Sequence, residues 1–146
     1  MNKTLRITIG SLALSLASVG AAFAHHSFAA EFDGNKPIRI DGTLSKIEWS
    51  NPHSYFYVDV KDDGGKVASW GCEGANPGAL TRRGFNRGDA KLGQHIVVDG
   101  YAAKDGSHLM DVRRIYLEGK LVYEGASDDG PGANGPVSKN GGPGKQ

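Results

Sequence analysis

One apolar run in this chain changes face halfway along. Across residues 37–49, Ile38, Ile40 and Leu44 share one parity of an extended chain, while Ile47 and Trp49 take the other. Side chains alternate between the two faces of a strand, so a change of phase within one strand predicts a bulge or a strong bend. A sheet whose first strand bends is suited to closing on itself, and closure removes the exposed edges that a short chain has little else to cover.

The later segments are read as a series of strands broken once by a helix. Residues 54–61 alternate cleanly, with Phe56, Val58 and Val60 on one side and Tyr55, Tyr57 and Asp59 on the other. Asp62-Asp63-Gly64-Gly65 then reads as a hairpin turn, because glycine supplies the positive φ such turns need. A third strand follows over 66–73 with Val67, Trp70 and Cys72. Asn76 is a good N-cap, Pro77 suits the first helical position and Gly84 can end the helix. Further strands are predicted over 94–104, over 108–117 (again of mixed parity) and over 121–123. Three strands, a short helix and further strands make an all-β fold with one short helix, a small OB-like Greek-key barrel. A lipocalin-like barrel needs more strands, and the helix counts against an immunoglobulin-like sandwich.

Both ends of the chain are expected to lie outside this barrel. Lys3 and Arg6 precede a short apolar run diluted by Gly10, Ser11 and Ser15, and Ala22 and Ala24 supply the small residues of a cleavage site. Residues 1–24 are therefore expected to be a signal peptide rather than a membrane anchor, and the protein to be periplasmic or secreted, with no membrane span after cleavage. Residues 125–146 repeat Gly and Pro with almost no large apolar side chain, so a disordered tail is expected there. The folded domain is then 25–124. Losing Lys3 and Arg6 from the 17 basic side chains leaves 15, one short of the 16 acidic ones. With no basic excess, nucleic acid is not an expected partner. The single cysteine, Cys72, excludes a disulfide scaffold and reads first as a small buried residue, with a soft metal ligand or an intermolecular bridge as alternatives.

Five histidines carry the chemistry. Cleavage after Ala24 leaves His25 with a free α-amine beside its own ring, and a second imidazole completes a three-nitrogen set suited to Cu(II). A cut one residue earlier gives Ala24-His25-His26, which also binds copper or nickel, by a different geometry. The plain alternative is a frayed, solvated start. His53 follows Asn51-Pro52 in a stiff loop and is the candidate third ligand, or else a turn residue bonded to a nearby carbonyl. His108 with Met110 is a weaker soft pair, and His95 reads as structural. Tyr55, Tyr57, Trp70, Glu73, Arg82 and Arg83 form a possible ligand surface, although Arg82 and Arg83 also fit a purely structural role at a helix C-terminus. No nucleophile elbow, phosphate loop, zinc cysteine pair or HExxH stretch is present.

The stretches His25-His26-Ser27-Phe28-Ala29-Ala30-Glu31-Phe32-Asp33 and Glu48-Trp49-Ser50-Asn51-Pro52-His53 resemble a family of small exported bacterial proteins without an assigned activity. The likeness extends to Asn76-Pro77 through Arg82-Arg83-Gly84 and to the turn around Gly100-Tyr101 and Asp105-Gly106. It implies a periplasmic location, an OB-like barrel, and family-motif positions at His25, His26, His53, Glu73, Arg82 and Arg83. His95, His108 and Cys72 match none of its motifs. The leading expectation is a periplasmic metal-binding protein, with copper held by His25, His53 and, as an alternative or orienting contact, His26. The alternative is a metal-free OB-like module binding a ligand or an unknown periplasmic partner. An oxidase with an open copper position ranks third.

Overall fold

The structure, a computed structural model, describes residues 28–125. The expected signal peptide, His25 and His26, and the tail from residue 126 onward lie outside the described residues. A short helix, α1 (Phe28–Glu31), leads into β1 (Phe32–Glu48), β2 (Ser54–Lys61) and β3 (Val67–Gly74). Then follow α2 (Pro77–Arg82), β4 (His95–Ala103), β5 (Leu109–Leu117) and β6 (Lys120–Glu124). The fold is mostly β, as the alternation implies, but with α1 the described residues hold two short helices rather than one.

β1 pairs antiparallel with both β2 and β4, β2 with β3, and β4 with β5. A parallel pairing of β3 with β5 completes a ring of five strands, and β6 extends it from β5. The anticipated irregularity in β1 lies between Leu44 and Lys46, where the register against β2 shifts. It lets Leu44 and then Ile47 both face the core although Ile47 is an odd number of positions, three, further along. The mixed parity of β5 has the same cause. Its register against β4 shifts between Asp99 and Gly100, whose partners are Arg114 and Val112. Arg113 is the extra residue, so Val112 and Ile115 both reach the core while Arg113 and Arg114 leave it. β1 also begins earlier than its apolar pattern. Phe32 pairs with Ala103, and regular pairing resumes only at Pro37 with Tyr101. The intervening Asp33, Gly34, Asn35 and Lys36 carry no periodic signal to read.

The interior holds Leu44, Phe56, Val58, Ile96, Val98, Met110, Val112 and Ile115, all fully buried. Cys72 lies among them, and burial pushes its thiol pKa up to about 12. That is the setting of an inert core residue, neither a metal ligand nor a bridge. The capping of α2 follows the sequence: the Asn76 side chain accepts from Ala79 N at 2.9 Å, with Pro77 next. After Gly84, at φ 87°, the chain returns through Phe85, whose ring meets Trp49, Phe56 and Tyr123 at 6.1, 5.6 and 6.3 Å between centroids. Phe85 is buried and joins the 49–53 loop, β2 and β6 in one aromatic cluster. Replacing it with alanine removes that shared ring and is expected to cost about 3–5 kcal/mol. Urea denaturation of Phe85→Ala against the parent checks this.

Candidate functional site

The outer surface of the ring carries a row of polar residues at matched register. Glu48 lies opposite Tyr55, Tyr55 opposite Glu73, Glu73 opposite Asp111, and Asp111 opposite Tyr101. Directly opposed residues share a face, so these side chains stand together on the side away from Phe56, Cys72 and Met110. Tyr55 donates its phenolic hydrogen to Glu73 Oε2 at 2.6 Å. The other oxygen, Glu73 Oε1, lies 3.3 Å from His53 Nδ1, close enough for attraction to a protonated ring but without hydrogen-bond alignment. Glu73 is 5 % exposed and the His53 side chain 19 %. His53 is held from the loop between β1 and β2, where Ser50 Oγ donates to its carbonyl oxygen at 3.1 Å and the Asn51–Pro52 bond is cis.

Asp111 and Arg113 are functional candidates that the sequence reading misses. Asp111 is fully buried although it stands on the outer face, and its Oδ2 meets an Arg113 Nη at 2.8 Å. The Arg113 guanidinium carbon in turn lies 5.0 Å from the Phe28 ring centroid and 5.2 Å from that of Tyr101. Phe28 also packs on Phe32 and edge-on against Tyr101, at 5.7 and 5.6 Å. These residues form a small second core with Ala103 and Leu109. Backbone bonds fix α1 there: Lys104 N donates to the Glu31 carbonyl at 2.9 Å, and Lys104 Nζ donates to that of Ala29. The one visible signal was an aspartate between Met110 and Val112 with an arginine two residues on, opposite charges at positions of one parity in the strand.

The Tyr55 phenol is held well above its ordinary pKa, first by burial, then by its bond to Glu73, with smaller contributions from the Glu73 and Glu31 charges. Tyr57 stacks on Tyr55 at 6.3 Å, donates to Glu48 Oε2 at 3.1 Å and lies 4.8 Å beneath Lys46 Nζ. Its phenol is likewise raised, by burial and then by the Glu48 hydrogen bond. A raised folded-state value means the native protein holds the proton more tightly than the unfolded chain does. The stability linked to it is complete below the ordinary phenol value of about 10 and is lost as pH climbs past it. Tyr55→Phe is expected to lose about 1–3 kcal/mol at neutral pH, with a flatter decline above pH 10. Denaturant midpoints measured from pH 7 to 11 check both.

The six-residue ligand surface does not come together as one patch. Tyr55, Tyr57 and Glu73 are contiguous. Trp70 lies opposite Val58, on the other parity, where it packs against the core and stacks on His108 at 4.7 Å. Arg82 is exposed on α2, and Arg83 donates to the Glu124 carbonyl at 3.1 Å, a structural contact to the end of β6. The soft pair also fails to form, since Met110 is fully buried in the core while His108 lies outside on Trp70. His95 is exposed and meets Asp41 at 2.8 Å. Among the described residues, no group of three or more His, Cys, Asp and Glu side chains is arranged to hold a metal. His25 and His26, the other expected ligands, lie outside the described residues. No helix among the described residues is long and apolar enough to cross a membrane.

One family model matches the chain, over residues 13–110, and its description is that of a family of unknown function. No curated protein matches the chain.

Proposed function

We propose that this chain, which belongs to the family of unknown function DUF6152, is a periplasmic Cu(II)-binding protein. His25 would contribute its α-amine and ring once the leader is removed, His53 a second imidazole, and His26 an alternative or orienting contact. The observation that carries this reading is the approach of His53 Nδ1 to within 3.3 Å of Glu73 Oε1. A metal-ligating histidine commonly presents one ring nitrogen to a carboxylate, which sets the tautomer and orientation and leaves the other nitrogen for the ion. Here Nδ1 faces the buried Glu73 carboxylate, which Tyr55 holds from its other side. That leaves Nε2 as the donor.

The donor set favours Cu(II) over Cu(I). Its members are an amine and imidazoles, while the sulfur atoms of Cys72 and Met110 are enclosed in the core. The five-strand ring closed by its parallel pair supports the OB-like reading. The anchoring of α1 supports the reading as well. Only Ser27 separates His26 from Phe28, and at no more than about 3.6 Å per residue the His25 amine stays within roughly 11 Å of the Phe28 Cα.

Copper titration of protein recovered after export tests the proposal, with N-terminal mass spectrometry and elemental analysis of the same sample. A chain starting at His25 that takes up one Cu(II) with sub-micromolar affinity is the expected result. A different start, or no such site, overturns it. The Tyr55–Tyr57 pair favours a second reading, a metal-free module that stacks a planar ligand on that wall. It predicts negligible metal and ligand capture that Tyr57→Ala abolishes.

A further inference from the structure

We propose that the Tyr55–Tyr57 wall is a binding site for a flat organic cation, and that the Lys46 ammonium is its built-in, displaceable competitor. This rests on the metal-free reading and deepens it by naming the class of ligand, a charge-delocalised aromatic cation of one or two rings. It needs no metal and no residue before Phe28. The side-chain contacts that carry it lie between β1 and β2. Lys46 Nζ stands 4.8 Å from the Tyr57 ring centroid while it donates to Glu48 Oε1. Glu48 Oε2 accepts from the Tyr57 hydroxyl at 3.1 Å, so one carboxylate holds both the ring and the cation above it. The ring face already carries the kind of charge it attracts.

The face of an aromatic ring is the negative part of its quadrupole, and a cation within about 6 Å of the centroid is attracted to it. Both phenols of the wall strengthen that attraction, because each gives its hydrogen to a carboxylate: Tyr57 to Glu48 and Tyr55 to Glu73. The same carboxylates repel a planar anion, and a planar neutral molecule gains the stacking alone. Lys46 is a poor long-term occupant. Its side chain is 59 % exposed and that of Glu48 39 %, and an ion pair so open to water contributes little and is easily broken. An ammonium is also compact and strongly hydrated, whereas a delocalised cation sheds water more cheaply and stacks with its whole plane. Tyr55 and Tyr57 are half-buried, with ring planes only 27° apart, so one flat molecule can touch both. Beside Tyr57 the floor is bare backbone at Gly71. A Cβ there would stand 3.9 Å from Tyr57 Cε1 and 3.2 Å from Leu109 Cδ1.

The test titrates the full chain matured by export, kept metal-free with a chelator, with 1-methylquinolinium and separately with quinoline. Quinoline has the same two rings and is uncharged at neutral pH. Amide shifts of Tyr55, Tyr57 and Gly71 in nuclear magnetic resonance spectra locate binding and give both affinities. The parent is expected to bind the cation at least about threefold more tightly than quinoline, the preference of a ring face for charge. Lys46→Ala, at an exposed side chain that the fold does not need, should tighten the cation about two- to fivefold by removing the competitor, and should change quinoline less. Tyr57→Ala should remove the shifts with both molecules. The sign of the Lys46→Ala effect is decisive, because a wall made for anions or for neutral ligands that touch Lys46 would weaken instead. Equal or weaker cation binding in Lys46→Ala, or quinoline bound as tightly as the cation by the parent, overturns the cation site and leaves the stacking wall standing. No shift at Tyr55 or Tyr57 with either molecule, in the parent and in Lys46→Ala alike, overturns the wall and the cation site together.

Discussion

Protein carrying His53→Ala, matured by export, is expected to bind Cu(II) at least roughly 100-fold more weakly than the parent, since losing a ligand should exceed the cost of losing a group that merely orients one. Isothermal titration or competition with a chelator of known affinity measures the loss. His108→Ala is the matched control. It removes an imidazole stacked on Trp70 from a different part of the ring and should leave affinity unchanged. Binding must displace protons from the amine and the rings, so affinity should fall as pH falls in the parent, and less steeply in His53→Ala, which has one titrating donor fewer. Equal affinities in His53→Ala and parent would leave the N-terminal histidines as a solvated pair with no partner on the barrel, and the Tyr55–Tyr57 wall would become the better guide to function.

How much of this arrangement could be read from sequence differs by kind of signal. Local patterns translated directly. The alternation of 54–61, the Asp62-to-Gly65 turn, the Asn76 cap and the phase change in β1 all reflect short-range geometry, and each is present. The grouping of side chains across strands was less legible, because it depends on register. Trp70 illustrates this. The hairpin opposes Lys61 to Val67, and counting back from there sets Trp70 against Val58 on the inner parity, away from Tyr55 and Tyr57. Spacing alone made these residues look like one wall.

Burial on the outer face was not legible at all. Asp111 reads as a solvent-facing strand residue until something covers it, and the seat is made by Arg113, Tyr101 and the Phe28 ring, far apart in sequence. Phe28 lies in a four-residue helix too short to give a periodic signal. The resemblance to exported proteins marked His53 and Glu73 as motif positions, but their juxtaposition follows from the loop returning His53 to the end of β3. The strand pattern is silent on how the outer face of the ring is covered.

Gly100→Ala is expected to abolish stable folding or to cost about 3 kcal/mol or more. A Cβ at Gly100 would stand 1.8 Å from the Asp111 carbonyl oxygen and 2.8 Å from Met110 Cε. The first of these is backbone of the paired strand, and it cannot swing aside as a side chain tip can. Gly42 shows the same close approach between β1 and β2, with the Asp59 carbonyl at 2.4 Å. Both glycines lie on strands that shift register nearby, where the ring bends and its backbones crowd. Gly100 is the more telling of the two. Opening β4 from β5 there would move Asp111, and with it the Arg113 seat for Phe28. Near-ultraviolet circular dichroism and the urea midpoint of Gly100→Ala report the loss. At intermediate severity, Lys104 amide exchange should accelerate before the global transition, because the packing of Phe28 on Arg113 depends on this crossing more directly than the core does. A Gly100→Ala protein with the parent's midpoint and the parent's Lys104 exchange would mean that β4 and β5 do not approach at this point, and the account of Arg113 as an outward-turned bulge residue would fall with it.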